Sequence, residues 1–263
     1  MEKYKIFIIE IAKEAGIIMN KHFKIGMIHI EKKDTSPVTE ADLAINSLLI
    51  KRVKELFPKH SVLGEEESCM IEGSEYVWVC DPIDGTIPFS LGLPIATFSL
   101  ALVHNGEVIL GVVYDPFCDR LFYAEKGKGS YLNNKKIHVS DHPTLNKARI
   151  EFEMWNRSKY DLQPLINELK KFNPVLVRFA SFANPSALVG AGEFTATIFP
   201  HTSVQDVAAI KIIVEEAGGK VTDLFGNEQR YDQPINGVLV SNGILHDQLV
   251  DLSKKFVIIQ NNN

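Results

Sequence analysis

The chemistry legible in this chain lies in acids placed at the ends of apolar runs. Asp81-Pro82-Ile83-Asp84-Gly85-Thr86 directly follows the apolar run Tyr76 to Cys80. Strand interiors disfavour Asp, Pro and Gly alike. Two carboxylates and a glycine at a strand mouth therefore predict a loop built to hold a cation. Pro82 stiffens that turn, and Gly85 lets the backbone approach a ligand closely. Glu65 and Glu66 follow a second short apolar run after Gly64, and Asp206 opens a predicted helix after an uncharged stretch. Carboxylates ~4 Å apart repel by about 4 kcal/mol per pair at an effective dielectric of ~20. A cluster of Glu65, Asp81, Asp84 and Asp206 would thus need protonation or cations to persist. An all-oxygen donor set selects hard ions, Mg²⁺ first, then Mn²⁺ or Ca²⁺. Taken singly, Glu65 to Glu67 also reads as an exposed acidic turn, Asp206 as a charge complementing a helix dipole, and Asp42 as a helix cap. The Asp81 to Thr86 string has no comparable packing role.

The elements that must position these acids follow from periodicity. Tyr4, Phe7, Ile8, Ile11, Ala15, Ile18 and Met19 recur at helical spacing and predict an amphipathic first helix. A second helix starts at Thr39, where Thr39-x-x-Asp42 resembles a capping box. Its buried face should hold Ile45, Leu48, Leu49 and Leu56, and Pro58 ends it. The runs Ile95 to Val103, Glu107 to Tyr114 and Arg120 to Glu125 read as antiparallel strands, the first two joined by the hairpin signal Asn105-Gly106. After residue 140 short apolar strands alternate with helices over 162–172 and 204–217, which points to an α/β layer. Two subdomains sharing one core are expected: 1–140 (α+β) with most of the acids, and 141–263 (α/β) with Asp206 and the substrate-side loops.

Composition narrows the function. The chain has 263 residues, 45% hydrophobic and 23% charged, with a net charge of −5. That balance, with scattered lysine pairs such as Lys32-Lys33, argues against nucleic-acid binding, which needs a basic stripe. The continuous apolar stretch Leu91 to Val103 is too short for the ~20 residues of a membrane span. The cysteines Cys69, Cys80 and Cys118 form no C-x-x-C, which fits a reducing, cytoplasmic setting. The sequon Asn156-Arg157-Ser158 is read as chance, since no secretory signal accompanies it.

Together these residues resemble the inositol monophosphatase family, the lithium-sensitive, metal-dependent phosphatases. Gly64-Glu65-Glu66, Asp81-Pro-Ile-Asp-Gly-Thr86 and Gln205-Asp206-Val-Ala-Ala209 leading to Glu216-Ala-Gly-Gly219 carry the match. Ser36-Pro-Val-Thr-Glu-Ala-Asp42 and Gly111-Val-Val-Tyr-Asp-Pro116 through Lys126-Gly-Lys-Gly129 add to it. The resemblance implies a layered α-β-α-β-α sandwich, α+β / α/β in class, with a large mainly antiparallel sheet and a second smaller one, and a homodimer. It also implies roles. Glu65, Asp81 and the Ile83 carbonyl would hold a first Mg²⁺. Asp81, Asp84 and Asp206 would hold a second, and Glu65 with Glu66 a third, weaker ion. Asp42 and Thr86 would activate the attacking water, with Glu65 contributing. Backbone N–H groups of Gly85 and Thr86 would grip the phosphate of a small phosphorylated substrate.

The chain also departs from the family pattern. Gln205 stands where the family has Trp, and Ile87-Pro88 replace the Thr-Asn of its turn. Phe199 occupies the position where inositol-selective members place a Glu, and the pattern around Ser181 differs too; Ser181 and Phe199 are still expected to contact the substrate, with Gly85 and Thr86. Inositol monophosphate leads as the expected substrate, with fructose bisphosphate, histidinol phosphate and a nucleotide 3′-phosphate as alternatives. A non-catalytic metal or phosphate sensor is the reading from another class. Two other phosphate- or metal-binding readings fail on spacing. An aspartyl-nucleophile phosphatase needs its acids two apart, whereas Asp81 and Asp84 are three apart. An EF-hand starting at Asp81 would need Glu at the position of Gly92.

Overall fold

Period-two alternation from Tyr76 onward separates two faces. Trp78 and Cys80 fall on one side, and Val77 and Val79 on the other. In the computed structural model, which describes residues 1–24, 30–31, 37–155 and 158–260, these residues lie in a seven-stranded sheet. Its order is Ser61–Gly64, Tyr76–Asp84, Thr97–His104, Glu107–Asp115, Arg120–Glu125, Gly129–Leu132 and Lys135–Lys136. The first pair is parallel and the remaining five are antiparallel. Asn105 and Gly106 both take left-handed φ, 52° and 86°, as the tightest hairpin turns require. A five-stranded mixed sheet follows, ordered Val175–Val177, Arg149–Phe152, Ala196–Phe199, Val238–Ser241 and Lys220–Thr222.

Helices fill the layers. Glu2–His22 and Glu40–Leu56 lay Phe7, Ile11 and Met19, and Ile45, Leu49 and Val53, onto the outer face of the large sheet. Each such side chain contributes roughly 1.5–3 kcal/mol on burial, so packing rather than intrinsic propensity holds these helices. The inner face of that sheet packs on Ala183–Gly190 and Ala208–Glu216, which also cover Val221 and Val240 of the small sheet. The other face of the small sheet, with Ile150, Ile198 and Leu239, meets Gln163–Leu169 and His246–Phe256. The architecture is an α-β-α-β-α sandwich, mixed α+β in class.

Several expectations need correction. Leu56 is exposed at the helix end, where the stripe finishes with Val53, and Leu48 is half-buried. Asp206 lies in a turn, and its helix begins only at Ala208. The stretch 162–172 splits into an α-helix, Gln163–Leu169, and a 3₁₀ turn, Lys170–Phe172. Ser36, Lys32, Lys33, Asn156 and Arg157 lie outside the described residues. Among the described residues no helix is long and apolar enough to cross a membrane, and all three cysteines are unpaired.

One buried histidine gives the fold an acid limit. His246 sits between Thr222 Oγ1, 3.0 Å from Nε2, and Ser241 Oγ, 2.9 Å from Nδ1. Burial, with Lys220 nearby, pushes its pKa down to about 4. An unfolded histidine titrates near 6.5. Above that pH the ring is neutral in both states and the stability it supports is fully present. Between about 6.5 and 4 the unfolded chain takes up a proton that the fold refuses, so stability falls with pH. Allowing for solvent screening, the loss is about 1–2 kcal/mol. Urea midpoints at pH 7 and pH 5 should fall further for the wild type than for His246→Gln. An equal fall would remove His246 from the acid response.

Candidate functional site

The strand Tyr76–Asp84 runs through the acid motif instead of ending before it, which corrects the expected loop. Asp81 pairs with Ser99 and Asp84 with Thr97. Between these pairs, Pro82 and Ile83 oppose the single Phe98 of the partner strand, which defines a β-bulge. A regular strand would send residues three apart to opposite faces. The bulge resets the alternation, so Asp81 and Asp84 share a face. It also accommodates Pro82, which has no N–H to give a ladder. Asp81 Oδ1 accepts from the Ile83 N–H at 3.0 Å, and Thr86 Oγ1 donates to the Ile83 carbonyl at 3.0 Å. Gly85 then turns the chain at φ 84°, where a Cβ would crowd Ser181 and Pro88.

Asp84 is clamped from the opposite layer. Ser181 Oγ donates to its Oδ2 at 2.5 Å, and the N–H groups of Phe182 and Ala183 donate at 2.7 and 3.0 Å. Thr97 Oγ1 adds a bond at 3.2 Å. Those two N–H groups open the helix Ala183–Gly190, whose N-terminus favours an anion. Burial nevertheless pushes the Asp84 pKa up to about 6, with Asp206 adding repulsion against the Ser181 and backbone donors. The clamp is itself braced. Buried Glu153 accepts from the Ala180 N–H at 2.5 Å and from Arg178 at 3.1 Å. Glu151 lies beside it, and burial, then the charge of Glu153, drives its carboxyl well above the usual range.

The remaining acids converge on the same spot. Asp81 is buried, and its pKa rises far above the carboxylate range through burial first, then the charges of Glu65, Asp206 and Asp84. Asp206 Oδ2 lies 2.7 Å from His201 Nδ1. Glu65 is half-buried beside Asp81, and Glu66 is half-buried next to it. Their turn is tightened at Gly64, where a Cβ would collide with the Asn46 side chain and the Glu67 carbonyl. Asn46 Nδ2 donates to that carbonyl at 2.9 Å, and Gln205 Nε2 donates to the Gly64 carbonyl at 3.3 Å. Gln205 thus ties the acidic turn to the Asp206 turn.

Asp42 closes the group. The capping box is formed: Oδ2 accepts from the Thr39 N–H at 2.8 Å and from Thr39 Oγ1 at 2.5 Å. Its Oδ1 is buried with no hydrogen-bond partner among the described residues. Burial pushes this carboxyl up to about 7, against the Thr39 bonds and helped by the charges of Glu65 and Glu66. Phe199 lies wholly buried, edge-on to Phe182 at 4.5 Å. It supports the wall behind Asp84 and has no surface to offer a substrate, so the expected direct substrate contact is not available to it.

The donor chemistry fits divalent cations. The charges of Glu65, Asp206 and Asp84 raise the proton affinity of Asp81, and that of Asp206 raises the proton affinity of Asp84, as uncompensated like charges must, and the spare Asp42 oxygen lies within reach of the charges of Glu65 and Glu66. Among the described residues no three such side chains are drawn into a closed cage. Asp84 and Asp206 are turned instead onto Ser181, the helix N–H groups and His201. Sequence reasoning missed Thr97, Asn46, the bracing Glu153 and the helix N–H groups on Asp84. The only sequence signal for His201 is its place shortly before Asp206 in the chain. The signal for the N–H groups was Ser181-Phe182-Ala183 entering a helix, but that helix is buried on nearly every side and its sequence shows no period.

Comparison with known proteins identifies the family. The model of the inositol monophosphatase family covers residues 1–257. A fructose-1,6-bisphosphatase/inositol-1-monophosphatase of Thermotoga maritima is 33% identical over 256 residues, covering 95% of this chain and 96% of that one. Inositol monophosphatase 2 of Solanum lycopersicum is 34% identical over 265 residues, covering 95% and 98%. The solved structure of a Thermotoga maritima IMPase superposes with a TM-score of 0.85 at 30% identity, covering 97% of this chain and 98% of that one. On sequence and on structure alike, the protein is a phosphatase, a hydrolase belonging to the inositol monophosphatase family.

Proposed function

We propose that this phosphatase hydrolyses a small phosphate monoester with water in a Mg²⁺-dependent reaction, with inositol monophosphate as the leading substrate. The convergence of Asp81, Asp84, Asp206 and Glu65 on one buried spot supports this most strongly. Glu65, Asp81 and the Ile83 carbonyl would hold one ion, and Asp81, Asp84 and Asp206 a second. Glu65 with Glu66 would hold a third, weaker one, and Mn²⁺ could replace Mg²⁺. When bound, such ions neutralise phosphate oxygens and lower the pKa of a water.

The residues of the chain do the rest. Asp42 offers a buried acceptor oxygen to the proton of the attacking water. Thr86, fixed through the Ile83 carbonyl, orients that water. The N–H groups of Gly85 and Thr86 sit at the start of a short helix and face the phosphate. Ser181 holds Asp84 in place. A homodimer in the cytoplasm belongs to the same reading, supported by the family resemblance and by the unpaired cysteines. Fructose 1,6-bisphosphate, which a relative's name also carries, histidinol phosphate and a nucleotide 3′-phosphate are the alternatives to test.

Phosphate release should be measured over a panel of these esters, with and without Mg²⁺ and with millimolar-range Li⁺. Release is expected to vanish with EDTA, return with Mg²⁺ or Mn²⁺, and fall with Li⁺. Undiminished release in EDTA would contradict the metal-dependent reading. A panel on which nothing is hydrolysed would favour a metal or phosphate sensor.

A further inference from the structure

The turn that leads into the Asp84 clamp is held in an unfavourable backbone conformation. Among the described residues, seven that are not glycine take left-handed φ, and five of these are Asn or Asp. Those two types bond their own backbone and tolerate that region. Ala180, at φ 53°, has no side chain that could do so. It directly precedes Ser181, Phe182 and Ala183, which donate to Asp84. Its carbonyl and the Ser181 Cβ back onto Gly85, where an added Cβ would lie 3.4 and 3.1 Å from them. A non-glycine residue persists in this region only where its surroundings over-determine it.

Glu153 does the determining. It stands one residue past the strand Arg149–Phe152, which is paired on both sides, and its own N–H donates to the Ile198 carbonyl at 3.2 Å. Its side chain is wholly buried. Oε1 accepts from the Ala180 N–H at 2.5 Å, and Oε2 accepts from Arg178 Nη2 at 3.1 Å. Arg178 also donates to the Met154 carbonyl at 3.2 Å, so the segment 178–180 is fixed at both ends. Glu151 precedes Glu153 by two residues, and burial, then the charge of Glu153, keeps its proton on. It therefore adds no second negative charge beside the acceptor. A buried carboxylate facing a main-chain N–H makes one of the stronger hydrogen bonds. Without it Ala180 would relax toward an ordinary φ, and the donors that follow would turn off Asp84.

We propose that Glu153 is a positioning residue for the phosphatase reaction: it imposes the left-handed turn at Ala180 that aims Ser181, Phe182 and Ala183 at Asp84, and a glycine at position 180 would make it dispensable. The proposal rests on the hydrolytic reading, which gives Asp84 its place beside the reacting phosphate. Glu153 touches none of the acids proposed to hold the ions and acts only through the turn.

Glu153→Met keeps the bulk and removes the acceptor, and Glu153→Gln keeps an acceptor without the charge. In the metal-free protein, amide exchange over residues 180–184 should quicken by about 10- to 100-fold in Glu153→Met, the range that loss of a hydrogen bond to a charged group supplies. It should quicken less in Glu153→Gln and return toward wild type in Glu153→Met/Ala180→Gly. Phosphate release from inositol 1-phosphate, or from whichever ester leads the panel, should follow the same order. Glu153→Met is expected to lose about 10- to 100-fold in kcat, and the added Ala180→Gly to restore most of it. A residue needed only to fill the interior would not be rescued by deleting a methyl group at position 180. Ala180→Gly alone should raise the melting temperature by about 1–4 °C, as relief of a left-handed alanine less the freedom gained by the unfolded chain requires. That single variant and Glu153→Gln carry the test if Glu153→Met does not fold. A lower melting temperature in Ala180→Gly, or losses in the Glu153 variants that glycine at 180 leaves untouched, would overturn the proposal. Rescue of exchange with no ester hydrolysed by the wild type would leave the brace standing and overturn the hydrolytic reading instead.

Discussion

Replacing Asp81 with Asn is expected to lower phosphate release by at least about 10³-fold while leaving the metal-free protein no less stable. The two effects have one cause. Asp81 is buried against Glu65, Asp206 and Asp84, and their charges raise its proton affinity. With no cation present, removing that charge relieves repulsion. Asn keeps an oxygen for the Ile83 N–H, so the bulge retains its local bond. With cations present the same change removes the carboxylate proposed to face both ions, and with it the electrostatic stabilisation of the reacting phosphate. The wild type should gain thermal stability with Mg²⁺, by about 2.7 kcal/mol at a hundredfold excess over Kd. Asp81→Asn should start from a higher melting temperature and respond weakly. A variant within tenfold of wild-type turnover, still stabilised by Mg²⁺, would show that the ions bind elsewhere.

Asp42→Asn separates the proton acceptor from the metal ligands. A positioned general base contributes about 10²–10⁴-fold, and the loss should fall on kcat rather than KM. Burial holds the Asp42 carboxyl at about 7, helped by Glu65 and Glu66. Only the carboxylate accepts a proton, so wild-type kcat should rise with pH up to about 7 and then level. Cations neutralising Glu65 and Glu66 would move that limb down, and it should be missing from the variant. The asparagine oxygen can still accept from Thr39, so the helix cap survives and stability should change by under about 1 kcal/mol. A variant that keeps the acidic limb would assign it to another group.

The two predictions depend on features of unequal legibility. The capping box at Thr39 and the hairpin at Asn105-Gly106 are local, and local chemistry sets them, so the sequence reads them correctly. The alternation in Tyr76–Cys80 shows which face is which. The bulge after it is invisible in the sequence, because Pro82 and Gly85 signal a loop equally well and only pairing with Thr97 and Ser99 resolves the two. The helix Ala183–Gly190 is hidden for a different reason. Both its faces are buried between two sheets, so no polar stripe marks its period. With that helix missed, the N–H clamp on Asp84 could not be foreseen. Phe199 stands out as a departure in sequence, but its place beneath Phe182 is set by contacts between layers.

The most direct test is a crystal of the protein grown or soaked with Mn²⁺, with anomalous difference density collected at the manganese edge. Peaks should lie between the side chains of Asp81, Asp84, Asp206 and Glu65, each carboxylate swung off its present protein donors toward the ion. Density confined to other surface sites, with Asp206 still turned onto His201 and Asp84 onto Ser181 at saturating Mn²⁺, would contradict the account.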